Sequence, residues 1–254
     1  MAEDILGIKP LGETAKVLAQ GVVDGTGAFL SRVCLPAAEE IGIYFKEKIG
    51  AWRVTNTQRI IEKAKEKYEK LNDNSLHAHP RLVWETLEKG SWHDSSLFQD
   101  VWAGLLVSSC SKDGVDDSNL IFIDLLSKLT GAQVRLLNYA CEKVEKIQSE
   151  AGWPWTKGFS IPLLLLKEIT FVDDVHRLDR EMDHLRSLDL FGTGVLSRSG
   201  GFSGDSTDAT IWPSPLALHL YVRCQGFMGS PIEYWNIKKE IKPELKEKTA
   251  SGSA

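Results

Sequence analysis

The stretch Ser95-Ser96-Leu97-Phe98-Gln99-Asp100-Val101-Trp102-Ala103-Gly104-Leu105-Leu106 decides the fold class. Its apolar residues Leu97, Phe98, Val101, Trp102, Leu105 and Leu106 recur at i, i+1, i+4, i+5, i+8 and i+9. That is a two-wide stripe on an α-helix, and it belongs against a core. Asp94 or Ser95 can cap it. Working outward, the same period returns on both sides. Residues 57–71 place Ile60, Ile61, Ala64, Tyr68 and Leu71 on one stripe, and charges of alternating sign cover the rest. His79-Pro80 opens a short helix with Leu82, Val83, Trp84 and Leu87, which Gly90 stops. Leu120, Ile123, Leu126 and Leu129 repeat helically. Thr130-Gly131-Ala132-Gln133 then fits a capping box, leading a helix with Val134, Leu137, Cys141, Val144 and Ile147 on one face.

The chain therefore reads as mainly α. Gly152-Trp153-Pro154-Trp155 must leave the helix, which marks a boundary between a helical domain over 1–150 and a module over 156–228. Residues 1–25 are expected to be partly irregular, because glycine in a helix interior costs about 1 kcal/mol and Gly21 and Gly25, with Gly27 just beyond, interrupt the apolar residues from Val17 to Leu30. The tail, 238–254, is expected to be flexible. In the C-terminal module Ser160 can cap an apolar helix over 161–169. Asp173 or Asp174 begins a longer one with Val175, Leu178, Met182, Leu185 and Leu188. A polar, Gly- and Ser-rich stretch follows, then a short strand over 209–212. Ser214 and Pro215 start a last helix that stops before Gly226.

Helix, turn, helix, loop, strand and closing helix is a winged-helix-like layout. Its second helix would be the recognition helix, and 192–210 the small β wing. The charge weighs against DNA. From Asp173 to Asp189 six acids (Asp173, Asp174, Asp179, Glu181, Asp183, Asp189) stand against three bases, Arg177, Arg180 and Arg186. Each phosphate contact needs a cation. A protein-contacting or structural winged helix is the expectation. Arg177, Arg180, Arg186 and Arg198 are the nucleic-acid candidates of the alternative reading, a nucleic-acid-binding regulator.

The composition agrees with a globular chain: 254 residues, 43% hydrophobic and 26% charged. A net charge of −5 excludes a generally basic, nucleic-acid-coating surface. Four cysteines, Cys34, Cys110, Cys141 and Cys224, form no CxxC pair and read as small buried hydrophobes. The opening residues carry Glu3 and Asp4 in place of the basic start of a secretory signal, so the cytoplasm is the expected location. No run of 18 apolar residues could span a bilayer. The glycine-interrupted segment 17–45 leaves a membrane-perturbing effector as a further alternative.

No residue pattern points to catalysis. There is no GxSxG elbow, Walker loop or Rossmann fingerprint. His77 and His79 lack a third ligand near in sequence, apart from His93-Asp94, and Asp113, Asp116 and Asp117 do not fit a calcium loop. The expectation is a non-enzyme with no cofactor and no metal. Trp153, Trp155 and Phe159, beside Lys157, are the partner-binding candidates. Exposed, they could anchor a partner or stack a base, and buried, they would pack the linker onto the helical part.

The runs from Gly27 to Leu71, including Phe29-Leu30-Ser31-Arg32-Val33-Cys34-Leu35-Pro36-Ala37-Ala38-Glu39-Glu40, and from Ser95 to Leu106 resemble the abortive infection alpha family. The second is similar to that family's acidic residue and Leu-Gln before Trp-Ala-x-Leu-Leu, with Phe98-Gln99 standing where Leu-Gln is usual. Leu185 to Phe191 and Ile211 to Cys224 resemble its winged-helix-like end. The resemblance runs over roughly 25–225. It implies bacterial antiviral defence, in which a phage-infected cell stops growth before progeny mature. It supplies no catalytic residues. The expected mode of action is binding of a protein, phage-encoded or a second copy of the chain.

Overall fold

The computed structural model describes residues 26–34, 51–192 and 208–237. The expectations for 1–25, for most of 17–45, for Arg198 and for the tail 238–254 lie outside these residues, as does the wing between its two ends.

The stripe around Trp102 becomes α4 (Ser96–Ser108). Ser95 is its N-cap, accepting from the Phe98 N–H at 3.3 Å. The buried surface is wider than the stripe: Gln99, Ala103 and Gly104 are enclosed as well. A helix covered nearly all round lies in the middle of a core. Three helices pack on it: α2 (Ala51–Glu69), α3 (Pro80–Gly90) and α9 (Pro215–Cys224). Helix α2 buries Ile60, Ile61, Ala64 and Tyr68 as the period requires, and it starts earlier than the sequence stripe. Asn56 explains the extra turn. Its amide reaches the Ser91 carbonyl at 3.0 Å, while Arg53 donates to Ser91 Oγ at 2.9 Å and to the Glu88 carbonyl at 3.0 Å. Helix α1 (Thr26–Val33) sets Phe29 edge-on against Tyr68, with ring centroids 5.5 Å apart.

Two short helices carry the chain onward, α5 (Leu120–Ser127) and α6 (Gly131–Lys143). The capping box at Thr130 and Gln133 is present in full. Helix α6 ends earlier than its apolar pattern suggests. Val144 is extended, and Ile147 lies in strand β3 (Glu145–Gln148), which pairs antiparallel with β4 (Pro154–Lys157). The Gly152–Trp155 stretch leaves the helix by forming this hairpin, not a plain linker.

A second correction concerns Ser160. It caps no helix but lies in β5 (Phe159–Pro162), and α7 (Leu163–Thr170) begins after Pro162. The cause is long-range: β5 pairs antiparallel with β6 (Asp208–Ile211), Phe159 opposite Ile211. Pairing across the chain outweighs the local cap. Helix α8 (Val175–Ser187) is capped by Asp174, and α9 by Ser214 with Pro215 in its first turn, as expected. A further helix, α10 (Pro231–Trp235), follows Gly226, beyond the helix that the sequence pattern predicts to be the last. A two-residue ladder, β1 (His77–Ala78) with β2 (Cys110–Ser111), completes the strands described.

The chain is thus mainly helical with small antiparallel sheets. The buried side chains form one contiguous cluster from Phe29 to Cys224, including all four cysteines. Phe29 and Leu30 are inside it. Among the described residues no helix is long and apolar enough to cross a membrane.

Candidate interaction surface

The β3–β4 hairpin is built so that alternate residues do opposite things. Pro154 and Thr156 face inward and are buried. The Thr156 hydroxyl donates to the Pro213 carbonyl at 2.6 Å, and the Trp212 indole N–H donates to the Thr156 carbonyl at 2.9 Å. The hairpin is thereby fastened to the chain just ahead of α9. Trp155 and Lys157 must then face outward. Trp155 is 50% exposed, and Lys157 pairs across the strands with Glu145 at 2.6 Å. Trp153, at the end of the turn, is 67% exposed. Its N–H donates to Ser149 Oγ at 3.0 Å, and Gly152 supplies the positive φ of +90° that closes the turn. Two tryptophans are held out on a fixed scaffold.

Phe159 does not join them. It is half-buried on β5, its ring 6.4 Å from that of Tyr139. Gly158 breaks the alternation between the two strands, at a point where a Cβ would meet the Trp212 ring at 3.1 Å.

The arginines of α8 are dispersed. Arg177 bonds Glu181 at 3.3 Å, and Arg186 pairs with Asp183. Arg177 and Arg180 share a face, but Arg186 is about two and a half turns beyond Arg177 and points to the other side. Glu181 is buried and accepts from the Thr130 hydroxyl at 2.7 Å, while Gln133 donates to its carbonyl at 3.1 Å. One side of α8 is therefore committed to holding α6.

Residues 55–201, more than half of the chain, match the model of a family described as abortive infection alpha. The chain belongs to this family. Its description links the protein to abortive-infection defence. The matched stretch is narrower at both ends than the resemblance over roughly 25–225, and it contains the Trp102 helix, the hairpin and α8. No curated protein and no solved structure matches the chain.

The histidines of the matched region have local roles. His77 Nδ1 is 3.0 Å from the Arg32 carbonyl, and His79 Nδ1 accepts the Arg81 N–H at 3.2 Å, capping α3. Among the described residues no three potential ligands gather as a metal site. Burial pushes the thiols of Cys34 and Cys110 up to about 11 and about 12, which removes their nucleophilic thiolate form.

The exposed apolar residues of α7 are absent from the sequence-based candidates. Leu164 is 81% exposed and Phe171 78%. A signal was present: Leu163-Leu164-Leu165-Leu166 is more apolar surface than one helix face can bury, and Leu166 alone of the four is fully covered.

Proposed function

We propose that this protein is a non-enzymatic component of bacterial antiphage defence that acts in the cytoplasm by binding a protein, either a phage-made trigger or its own copies. The presentation of Trp153 and Trp155 from the fixed β3–β4 hairpin carries this reading. Exposed tryptophans on a rigid element are efficient anchors, because little conformational entropy is lost when they are covered.

The order β5, α7, α8, β6, α9, with β5 paired to β6 and Phe191 bridged to Pro213, supports a winged-helix-like C-terminal module. In this reading the module contacts protein, since the acids of α8 oppose a phosphate backbone.

The test expresses the wild-type chain and a Trp153→Ala/Trp155→Ala double variant in phage-challenged cells. Phage plating should fall with the wild type and recover with the double variant, while both proteins melt at the same temperature. Pull-down from infected cells should recover a specific partner with the wild type alone. Equal plating with both proteins would refute the proposal.

A further inference from the structure

We infer that the outer edge of β3 is the surface on which two copies of this chain pair, edge to edge and antiparallel, to make one four-stranded sheet. The pairing stands on its own observations, and only its consequence for defence rests on the proposed role of the tryptophans.

The hydrogen-bond phase of the hairpin comes first. The Ser149 N–H donates to the Trp153 carbonyl at 2.9 Å, which makes these two a hydrogen-bonded pair. The register, Ile147 opposite Trp155 and Glu145 opposite Lys157, gives the same role to those pairs. Lys146 and Gln148 on β3, and Pro154 and Thr156 on β4, therefore turn their main-chain groups away from the hairpin.

The two outer edges are treated differently. On β4, Pro154 has no N–H to offer, and the Thr156 carbonyl already accepts the Trp212 indole N–H at 2.9 Å. That edge is closed. On β3, the main-chain groups of Lys146 and Gln148 find no partner among the described residues. A lysine often guards such an edge. Here its ammonium is drawn back to the carbonyls of Glu142 and Val144, at 3.0 Å each, and lies over the Trp235 ring. Two donors and two acceptors, repeating every second residue of an extended strand, match the main chain of another strand.

A second copy of β3 fits this edge without conflict. Antiparallel pairing about a two-fold axis at Ile147 sets Lys146 against the partner's Gln148, and Gln148 against the partner's Lys146. Each pair exchanges two main-chain bonds. Ile147 meets the partner's Ile147 in a pair without hydrogen bonds, where Cα atoms come within about 4.5 Å. Glu145 faces the partner's Ser149. No like charges are opposed, as a self-pairing edge requires. The outward face gains a continuous apolar row: Trp155, Ile147, the partner's Ile147 and the partner's Trp155. The tryptophans stay in water, so the dimer doubles the platform that the proposed function uses. The edge is short, and a dissociation constant of about 10 µM is expected.

Sedimentation equilibrium of the full-length chain, from about 1 to about 200 µM, tests this. The wild type should pass from monomer to dimer across that range. Gln148→Pro removes an edge N–H and no bond of the hairpin. It should weaken the dimer by about tenfold or more with little change in melting temperature. Ile147→Lys and Ile147→Glu should each be monomeric alone, because like charges meet at the axis, and should form a dimer when mixed. Trp153→Ala/Trp155→Ala leaves the edge intact and should remain dimeric. Loss of the dimer and loss of the tryptophan-dependent plating effect are therefore separate failures. A wild type that stays monomeric, a Gln148→Pro chain that pairs as tightly as wild type, or a Lys/Glu mixture that stays monomeric would each overturn the inference.

Discussion

Gly104 in α4 lies so close to Cys224, at the end of α9, that a Cβ on the glycine would overlap the cysteine carbonyl oxygen. The two helices meet backbone to backbone. Gly104 sits mid-helix, where alanine is otherwise favoured by about 1 kcal/mol. The overlap reverses that preference. Gly104→Ala should destabilise the protein by about 2 kcal/mol or more, since backbone must move to admit the methyl. Urea denaturation measures it, and an unchanged or raised midpoint would show that the contact is slack.

Trp102 is fully buried, yet its indole N–H has no hydrogen-bond partner among the described residues. Its contribution is therefore volume. Trp102→Ala should cost about 4 kcal/mol through the cavity it leaves. Trp102→Phe should cost much less, about 1 kcal/mol, because the unpaired donor leaves together with the lost ring area. Similar losses for the two variants, read from paired chemical melts, would contradict this account.

Thr130 serves two elements at once. Its hydroxyl accepts the Gln133 N–H at 3.3 Å to cap α6 and donates to Glu181 of α8 at 2.7 Å. Thr130→Ala removes the cap and leaves a buried carboxylate oxygen short of a donor. The expected loss is about 2 kcal/mol. Thr130→Ser should recover most of it. A Ser variant as unstable as the Ala variant would point to the methyl group in place of the hydroxyl.

Two half-buried histidines make stability depend on pH. His93 stacks on Phe98 with centroids 4.0 Å apart. Burial lowers its pKa below the ordinary 6.5, and Asp94 opposes this only in part. Burial, and then Arg223, lowers that of His219. The unfolded chain therefore takes up these protons first as pH falls. Their contribution is fully present above 6.5 and declines from there down to the folded-state values. The denaturation midpoint should be lower at about pH 5.5 than at about pH 7.5. His93→Gln with His219→Gln should flatten that slope. Asp73, Asp113 and Asp116, each held below the usual 3.8 by serine hydrogen bonds, act only at more acid pH and leave this window unaffected.

Much of the helical framework was legible because its signals are local. The stripe around Trp102, the Thr130 capping box, Asp174 before α8 and Ser214-Pro215 before α9 each need only a few neighbouring residues. The strands were not legible in the same way. Ser160 looks like a helix cap, but Phe159 finds Ile211 across about fifty residues, and no local pattern carries that pairing. The candidate surface was half legible. Trp153 and Trp155 stood out by composition, but whether they packed inward or faced water turned on Thr156 and Pro154 taking the inward positions.

From its residues alone the chain is committed to amphipathic helices, to their caps and to buried thiols, because side-chain period and hydrogen-bonding type are properties of short stretches. Which apolar residues were left outside was settled only when the elements packed. Phe171 and Leu164 have the same chemistry as the residues of the core. Their exposure follows from the register of β5 with β6 and from the left-handed end of α7, which together fix the face that α7 turns to solvent.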